Sequence, residues 1–195
     1  MSSTFQSTIG TGAQSGPQQD EHAEVPQSLD AVITRCESFS PPSFIDTALG
    51  FRYDIPETGY RYWLSKCKDG AFPHRRDISP VELSAQLPNV GLFEVNRSAA
   101  APLNLYCRIA GDNIEQVYGK MHRQFIRECL PIEQATRFDC YAAAVLLAGA
   151  PIRISGKVSH EERTFMDAEM MAAPLATDDE DRLQIIVFAE YQPVS

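Results

Sequence analysis

The chain has 195 residues, 44% of them hydrophobic, and a formal net charge of −9, which predicts one soluble domain with extensions. The negative charge would repel nucleic acid and anionic lipid, so neither a nucleic-acid partner nor a membrane partner is expected. The longest apolar run is about ten residues where a membrane span needs about 20, and no basic and apolar leader opens the chain, so a cytoplasmic location is predicted.

The sequence divides into three parts. Residues 1–29 are rich in Ser, Gln, Gly, Thr and Pro and contain no Lys or Arg, a composition that predicts a disordered tail. Residues 30–56 are a mixed linker, in which residues 29–36 are expected to form a short helix. The remaining residues, 57–192, hold the patterns of a folded domain.

The domain opens with a predicted helix over residues 58–68. Tyr60, Trp63, Leu64 and Cys67 recur at i, i+3, i+4 and i+7, which gives the helix one apolar stripe. Thr58 is the expected N-cap, and the glycine at position 70 is the expected stop.

A second helix is predicted from Ser79 to Pro88. Ser79 is the expected N-cap, Pro80 occupies the first helical position, and Glu82 completes a capping box. Pro88 would end the helix because proline cannot continue it.

The pattern then changes to short strands and helices. Their order predicts an α+β fold with an antiparallel sheet and helices on one face. Strands are predicted at 90–95, 103–110, 152–158, 163–175 and 183–191, and helices or helical turns at 112–118, 122–129 and 131–147.

The transition from strand to helix at residues 105–119 is abrupt. Leu105, Cys107 and Ile109 alternate with the residues between them, and helical spacing begins directly after Gly111. Gly111 is expected to permit a tight turn, and Asp112 is expected to cap the helix that follows.

Several motifs in this order resemble a PAS-like family that is common in alphaproteobacteria, over about residues 57–192. The resemblance implies a five-stranded antiparallel PAS sheet, an N-terminal helical extension, and short helices that enclose a pocket. Arg123 departs from the family pattern, which often has a second glycine there. The motifs are Tyr62-Trp63, Asp77-Ile78-Ser79-Pro80, Leu87-Pro88, Arg108-Ile109-Ala110-Gly111 and Pro174-Leu175.

The resemblance implies haem, flavin, a small metabolite or no ligand in the pocket. A flavin sensor would need a reactive cysteine with Asn, Arg and Gln partners, which Cys129 lacks. A haem sensor would need an axial histidine, for which His122 is a weak candidate because its neighbours are polar. The five cysteines form no CxxC pair and the four histidines no metal-binding pattern. We therefore expect reduced thiols, no metal and no cofactor.

Enzymatic activity is a remote alternative. His160, Glu161 and Glu162 offer acid and base groups, but no Ser or Cys nucleophile lies nearby in the sequence. Asp167 and Glu169 share one strand face and would form a carboxylate pair in a cone-shaped pocket such as that of ketosteroid isomerase. Nothing else in the sequence supports this reading, so no catalytic residue is assigned.

Both faces of the sheet are predicted to be covered. The first and fifth strands, central in the PAS order, are apolar on both faces, whereas a strand with one wet face alternates with polar residues. We expect the helix at 58–68 to pack Trp63 on the outer face near Arg108, within its own chain or across a two-fold dimer. Arg108 itself is either exposed or paired with the N-terminal helices.

These observations predict a non-enzymatic sensory or protein-interaction PAS domain in bacterial signalling. It would act through a separate signalling protein or through a homodimer, with a small-molecule ligand as a further possibility. The alternative is a PAS sensor loaded with haem or flavin. The residues given interaction or structural roles are Tyr62, Trp63, Arg108, Gly111 and Asp112.

Overall fold

The computed structural model describes residues 28–96, 103, 105–158, 166–178 and 182–193. Residues 1–27 of the tail predicted over residues 1–29 therefore lie outside the described residues. The helices are α1 (Leu29–Glu37), α2 (Asp54–Lys66), α3 (Asp112–Tyr118), α4 (Ile126–Cys129) and α5 (Ile132–Ala148). The strands are β1 (Ser43–Asp46), β2 (Val90–Asn96), β3 (Tyr106–Ala110), β4 (Gln124–Phe125), β5 (Ile152–Lys157), β6 (Met166–Leu175) and β7 (Arg182–Pro193).

The strands form one sheet in the order β1-β5-β6-β7-β2-β3-β4, and all neighbours pair antiparallel. The predicted α+β class is confirmed, but the sheet has seven strands rather than five. The additional strands are β1, which the N-terminal extension adds beside β5, and the two-residue β4, which pairs with the start of β3. Both arise from pairing with segments that are distant or very short, which local periodicity does not show.

Helices cover the inner face of the sheet. α5 lies across it, and α3 and α4 pack beside α5 in one apolar cluster. α1 joins the same cluster through Val32 and Cys36, which are fully buried against the α5 side. None of the described helices is long and apolar enough to cross a bilayer, and all five cysteine thiols are free.

The outer face carries α2 and the segment that follows it. Trp63, Ile78 and Leu83 pack there on a second apolar cluster whose sheet residues include Met171 and Phe188. The sheet is therefore buried on both sides along β6 and β7, as the apolar pattern of the last strand predicts.

The beginning of α2 differs from the prediction. The helix starts at Asp54 rather than at Thr58, and the N-cap residue Tyr53 makes no side-chain capping bond. The sequence-based cap was wrong because the N–H groups at this end are satisfied by side chains from the sheet.

Two glutamates of the sheet hold this end of α2. Glu169 Oε1 accepts hydrogen bonds from the backbone N–H groups of Arg52 and Tyr53 at 2.8 and 3.0 Å, and Glu190 Oε2 accepts from Ile55 N at 3.0 Å. The two glutamates lie directly opposite each other on β6 and β7. Their negative charges also suit the positive end of the helix dipole.

The helix predicted over residues 79–88 does not form. Ser79 Oγ does accept the capping bond from Glu82 N, at 3.4 Å, but the segment continues as turns and a short 3₁₀ helix at Leu87–Asn89. Leu83 is buried while Val81 is 84% exposed, so the segment has no apolar stripe long enough to stabilise a regular helix.

The turn at Gly111 forms, with a different role for both predicted residues. Gly111 is itself the N-cap, with a φ of −71°, and Asp112 makes no side-chain capping bond. A Cβ atom at Gly111 would lie 2.3 Å from the carbonyl oxygen of Leu87 and 2.4 Å from that of Pro88. The glycine is therefore required by the close approach of two backbones and not by a left-handed conformation.

Smaller differences concern the ends of elements. The strand predicted at 103–110 begins at Tyr106, and the turn predicted at 122–129 contains β4 and α4. The helical spacing of residues 131–147 predicts that Ile132 shares the buried face with Ala135 and Phe138, but Ile132 is 64% exposed because it is the first residue of α5.

A buried ion pair joins α4 to α5. Asp139 is 1% exposed, and its carboxylate accepts a hydrogen bond from Arg127 Nη2. Its second oxygen, Oδ1, has no hydrogen-bond partner in the described part of the chain. Burial raises the pKa of Asp139 to about 6, and the nearby guanidinium opposes this only in part.

Asp139 should make stability depend on pH in the direction opposite to ordinary acid unfolding. Between about pH 4 and pH 6 the native carboxyl keeps a proton that the unfolded chain has released, so this residue's contribution to stability falls as the pH rises. The free energy of unfolding of Asp139→Asn minus that of the native protein should therefore increase by about 2–3 kcal/mol between about pH 4 and pH 7. Urea unfolding of both proteins across this range measures the difference. A difference that stays constant with pH would contradict the assignment.

Candidate ligand-binding site

An apolar cavity lies between the inner face of the sheet and helices α3 and α5. Its volume is about 40 Å³. Strand alternation and helical spacing together produce the lining, since β7 contributes residues of one face and α5 contributes residues three or four apart. The lining includes Ile185, Val187 and Tyr191 from β7, Ile114 and Tyr118 from α3, and Phe138, Tyr141, Ala142 and Val145 from α5.

The side-chain polar groups of this lining are the hydroxyls of Tyr118, Tyr141 and Tyr191. Burial raises the pKa of each of these phenols, so all three are neutral at physiological pH. Among the described residues, no charged side chain lines the cavity. The site is therefore suited to an uncharged and largely apolar molecule.

The N-terminal extension supports one wall of the cavity. The hydroxyls of Tyr141 and Ser43 are hydrogen-bonded at 2.6 Å, and Ser43 Oγ also accepts from Arg137 at 3.1 Å. The Arg137 guanidinium lies over the Phe39 ring at 4.5 Å. β1 and the end of α1 thus fix the position of a cavity-lining tyrosine.

His122, the weak haem-ligand candidate, does not line the cavity. Its side chain is exposed, and its backbone N–H donates to Glu115 Oε1 at 2.9 Å. That bond and the one from Met121 N hold the pKa of Glu115 below its usual value. Cys129, also weighed from the sequence, is half-buried outside the lining.

The carboxylate pair proposed from the sequence is not available for catalysis. Glu169 is fully buried on the outer side and is bound by Arg153 through contacts of 2.8 and 2.6 Å. Burial raises the pKa of Glu169, but bonds from Arg52 N, Tyr53 N and Arg153 outweigh it and leave the pKa lowered. Asp167 does not line the cavity. Residues 160–162, the other acid–base candidates, lie outside the described residues.

The structure places two of the residues given interaction roles on the outer face. Trp63 is 4% exposed, and its Nε1 donates to the Pro174 carbonyl oxygen at 2.9 Å. The Tyr62 hydroxyl accepts from Ser79 N at 2.8 Å and donates to Glu82 at 3.0 Å. Both side chains therefore tie α2 to its surroundings within one chain.

Arg108 also lies on the outer side but pairs with a strand. Its Nε lies 2.7 Å from Glu94 Oε1, and its side chain is 49% exposed. Gln184 Nε2 donates to the same glutamate oxygen at 2.7 Å. In the part of the chain that the structure describes, the ion pair of Arg108 is thus with β2 and not with the N-terminal helices.

The three cavity tyrosines were not singled out as site residues from the sequence. In the sequence, Tyr118, Tyr141 and Tyr191 fall within the elements predicted at 112–118, 131–147 and 183–191 and carry no assigned role. The available signal was that three tyrosines fall on faces predicted to be buried, where a hydroxyl needs a partner.

Comparison with known protein families identifies the kind of domain. A family model described as a PAS domain matches residues 56–188, which begins within α2 and ends within β7. No curated protein matches the chain. Within the described residues, no cluster of three or more His, Cys, Asp or Glu side chains is placed to hold a metal ion.

Proposed function

The chain belongs to the PAS domain family, and on that basis we propose that it is a non-enzymatic sensory module that acts in signal transduction. The output would pass to a separate signalling protein or to a second copy of the chain. The five free thiols support a reducing compartment such as the cytoplasm as its location.

The observation that carries this proposal is the alternation along β7. Ile185, Val187 and Tyr191 line the cavity, while Ile186 and Phe188 belong to the outer cluster that holds α2. β7 therefore lines the cavity with one face and supports α2 with the other. A molecule that displaces this strand from inside changes the packing of a helix on the surface.

The outward side of α2 is available to a partner. Arg61 is exposed, and Leu64 on the same helix is 50% exposed. A change in how α2 is seated would therefore alter a surface that another protein can contact.

A haem- or flavin-loaded sensor is the alternative function. Pockets for ligands of drug size usually measure about 300–1,000 Å³, whereas this cavity measures about 40 Å³, and none of its described lining residues is a histidine. The residues present do not fit either cofactor. A Soret or flavin absorbance band at high occupancy in purified protein would contradict this conclusion.

Coupling between the cavity and α2 can be tested with the single tryptophan of the chain, Trp63. Val187→Phe places a larger side chain in the cavity from β7, the strand that underlies α2. This change should raise iodide quenching of Trp63 at least about twofold. The matched control, Ile154→Phe, places a larger side chain in the cavity from β5 and should leave iodide quenching of Trp63 near the native value. Both changes overpack the interior and should cost about 1–3 kcal/mol. Unchanged quenching in Val187→Phe would contradict the proposed function.

A further inference from the structure

A surface groove lies next to the cavity, where α2, α3 and the end of β7 meet. Its volume is about 280 Å³. The described lining is mixed: Asn89, Asn113 and Gln116 contribute amides and Glu190 a carboxylate, beside the apolar side chains of Ile55, Val117 and Met166. Asn113 Nδ2 donates to Asn89 Oδ1 at 2.8 Å, which fixes the orientation of these two amides.

Tyr191 lines both the groove and the cavity. Its ring packs edge to face against Tyr118, with ring centroids 6.1 Å apart. The Tyr191 side chain therefore forms part of the partition between the apolar cavity and the surface groove.

The position of Tyr191 leaves its hydroxyl unsatisfied. The oxygen is buried and has no hydrogen-bond partner in the described residues. Burial, and after it the neighbouring Tyr118 hydroxyl, raise the pKa of Tyr191. The two hydroxyls are close enough to interact as a weak hydrogen-bonding pair, but their contact falls outside normal hydrogen-bond geometry. A buried hydroxyl without a partner is destabilising, and rotation of the ring toward the groove would bring it to amides and water.

The charges of the two spaces restrict what can pass between them. The cavity lining contains no charged residue, and Glu190 is the only charged residue among those that line the groove in the described part of the chain. An anion would meet a carboxylate and no cation, so a neutral molecule is favoured.

We propose that Tyr191 is the gate of the cavity, and that a small neutral molecule with a hydrogen-bonding group enters from the groove when the Tyr191 ring rotates outward. This inference rests on the proposed sensory function, since it supplies the route to the sensing cavity. The closed state shown here holds an unpaired hydroxyl, which keeps the open state within thermal reach.

Xenon uptake measured by ¹²⁹Xe saturation-transfer NMR tests the gate in the full chain, since dry apolar cavities bind xenon. Tyr191→Phe removes the unpaired hydroxyl, favours the closed state and should slow uptake about tenfold. Tyr191→Ala removes the ring and should accelerate uptake at least about tenfold. The control Leu105→Ala, at a position that lines the cavity but not the groove, should raise the bound fraction and leave the uptake rate near the native value.

Equal uptake rates in the native protein, Tyr191→Phe and Tyr191→Ala would overturn the gate, as would the absence of bound xenon in all of them. Should Tyr191→Ala fail to fold, the comparison of Tyr191→Phe with the native protein decides. Neither negative result affects the Trp63 quenching test, so failure of the gate and failure of the sensory function are distinguishable.

The preference for neutral molecules has its own probe pair. Phenol and benzoate are similar in shape but differ in charge, and Tyr191→Ala leaves a space where a phenol ring was. Phenol should bind to this variant at least about tenfold more tightly than benzoate, because no cation is present to compensate the buried carboxylate. Equal or tighter binding of benzoate would overturn this part of the proposal.

Discussion

Replacing Trp63 with alanine should lower the free energy of unfolding by about 3–5 kcal/mol. Trp63 is 4% exposed, packs on the outer cluster and lies 5.7 Å from Phe72 between ring centroids. The change leaves a void between α2 and the sheet and removes the indole N–H that donates to the Pro174 carbonyl oxygen. Urea unfolding followed by circular dichroism measures the loss, because the variant has no tryptophan to report by fluorescence.

The control Trp63→Phe separates packing from hydrogen bonding. It keeps an aromatic ring and removes the indole N–H, so its cost should be smaller, about 1–3 kcal/mol. In the native protein, Trp63 should emit at short wavelength and resist iodide quenching. Long-wavelength emission together with a stable Trp63→Ala variant would show that α2 does not pack on the sheet in solution.

Gly59→Ala should destabilise the protein although it introduces the best helix-forming residue. In a free helix this change is worth about 1 kcal/mol in favour of alanine. Here a Cβ atom would lie 2.2 Å from Cγ of Phe188, and Phe188 is fully buried. α2 must move away from the sheet, which should cost about 3 kcal/mol and lower the thermal midpoint by about 6–12 °C.

Two further variants make this result specific. Thr58→Ala changes the exposed neighbour of Gly59 on the same helix and should be neutral or slightly stabilising. In a double-mutant cycle, Phe188→Leu should recover part of the loss caused by Gly59→Ala, because it replaces the ring that the new methyl group meets. Independent, additive effects of the two changes would contradict direct contact between Gly59 and Phe188.

The parts of the fold that could be predicted from the sequence are those set by neighbouring residues. The transition at Gly111, the helix at Asp112–Tyr118 and the apolar character of both faces of β7 follow from spacing and from glycine. The packing of Trp63 on the outer face follows from two such local patterns, an amphipathic helix and a strand without a wet face.

The features that escaped prediction depend on residues that are distant in sequence. Glu169 and Glu190 replace the N-cap expected at Thr58, and no local motif connects them with α2. The partition formed by Tyr191 exists only because α3, α5 and β7 leave a space between them. Cavities and gates are properties of the assembled volume, which periodicity does not encode.

The strand β1 has a consequence for where the independently stable unit begins. The family match starts at residue 56, yet β1, at Ser43–Asp46, occupies the edge of the sheet beside β5. Without it, the backbone N–H and C=O groups of β5 would form an open edge, which is a template for pairing with other chains and for aggregation. The segment before the matched region thus covers β5 with a strand of only four residues, and we expect a fragment that begins at residue 56 to aggregate more readily than the full chain.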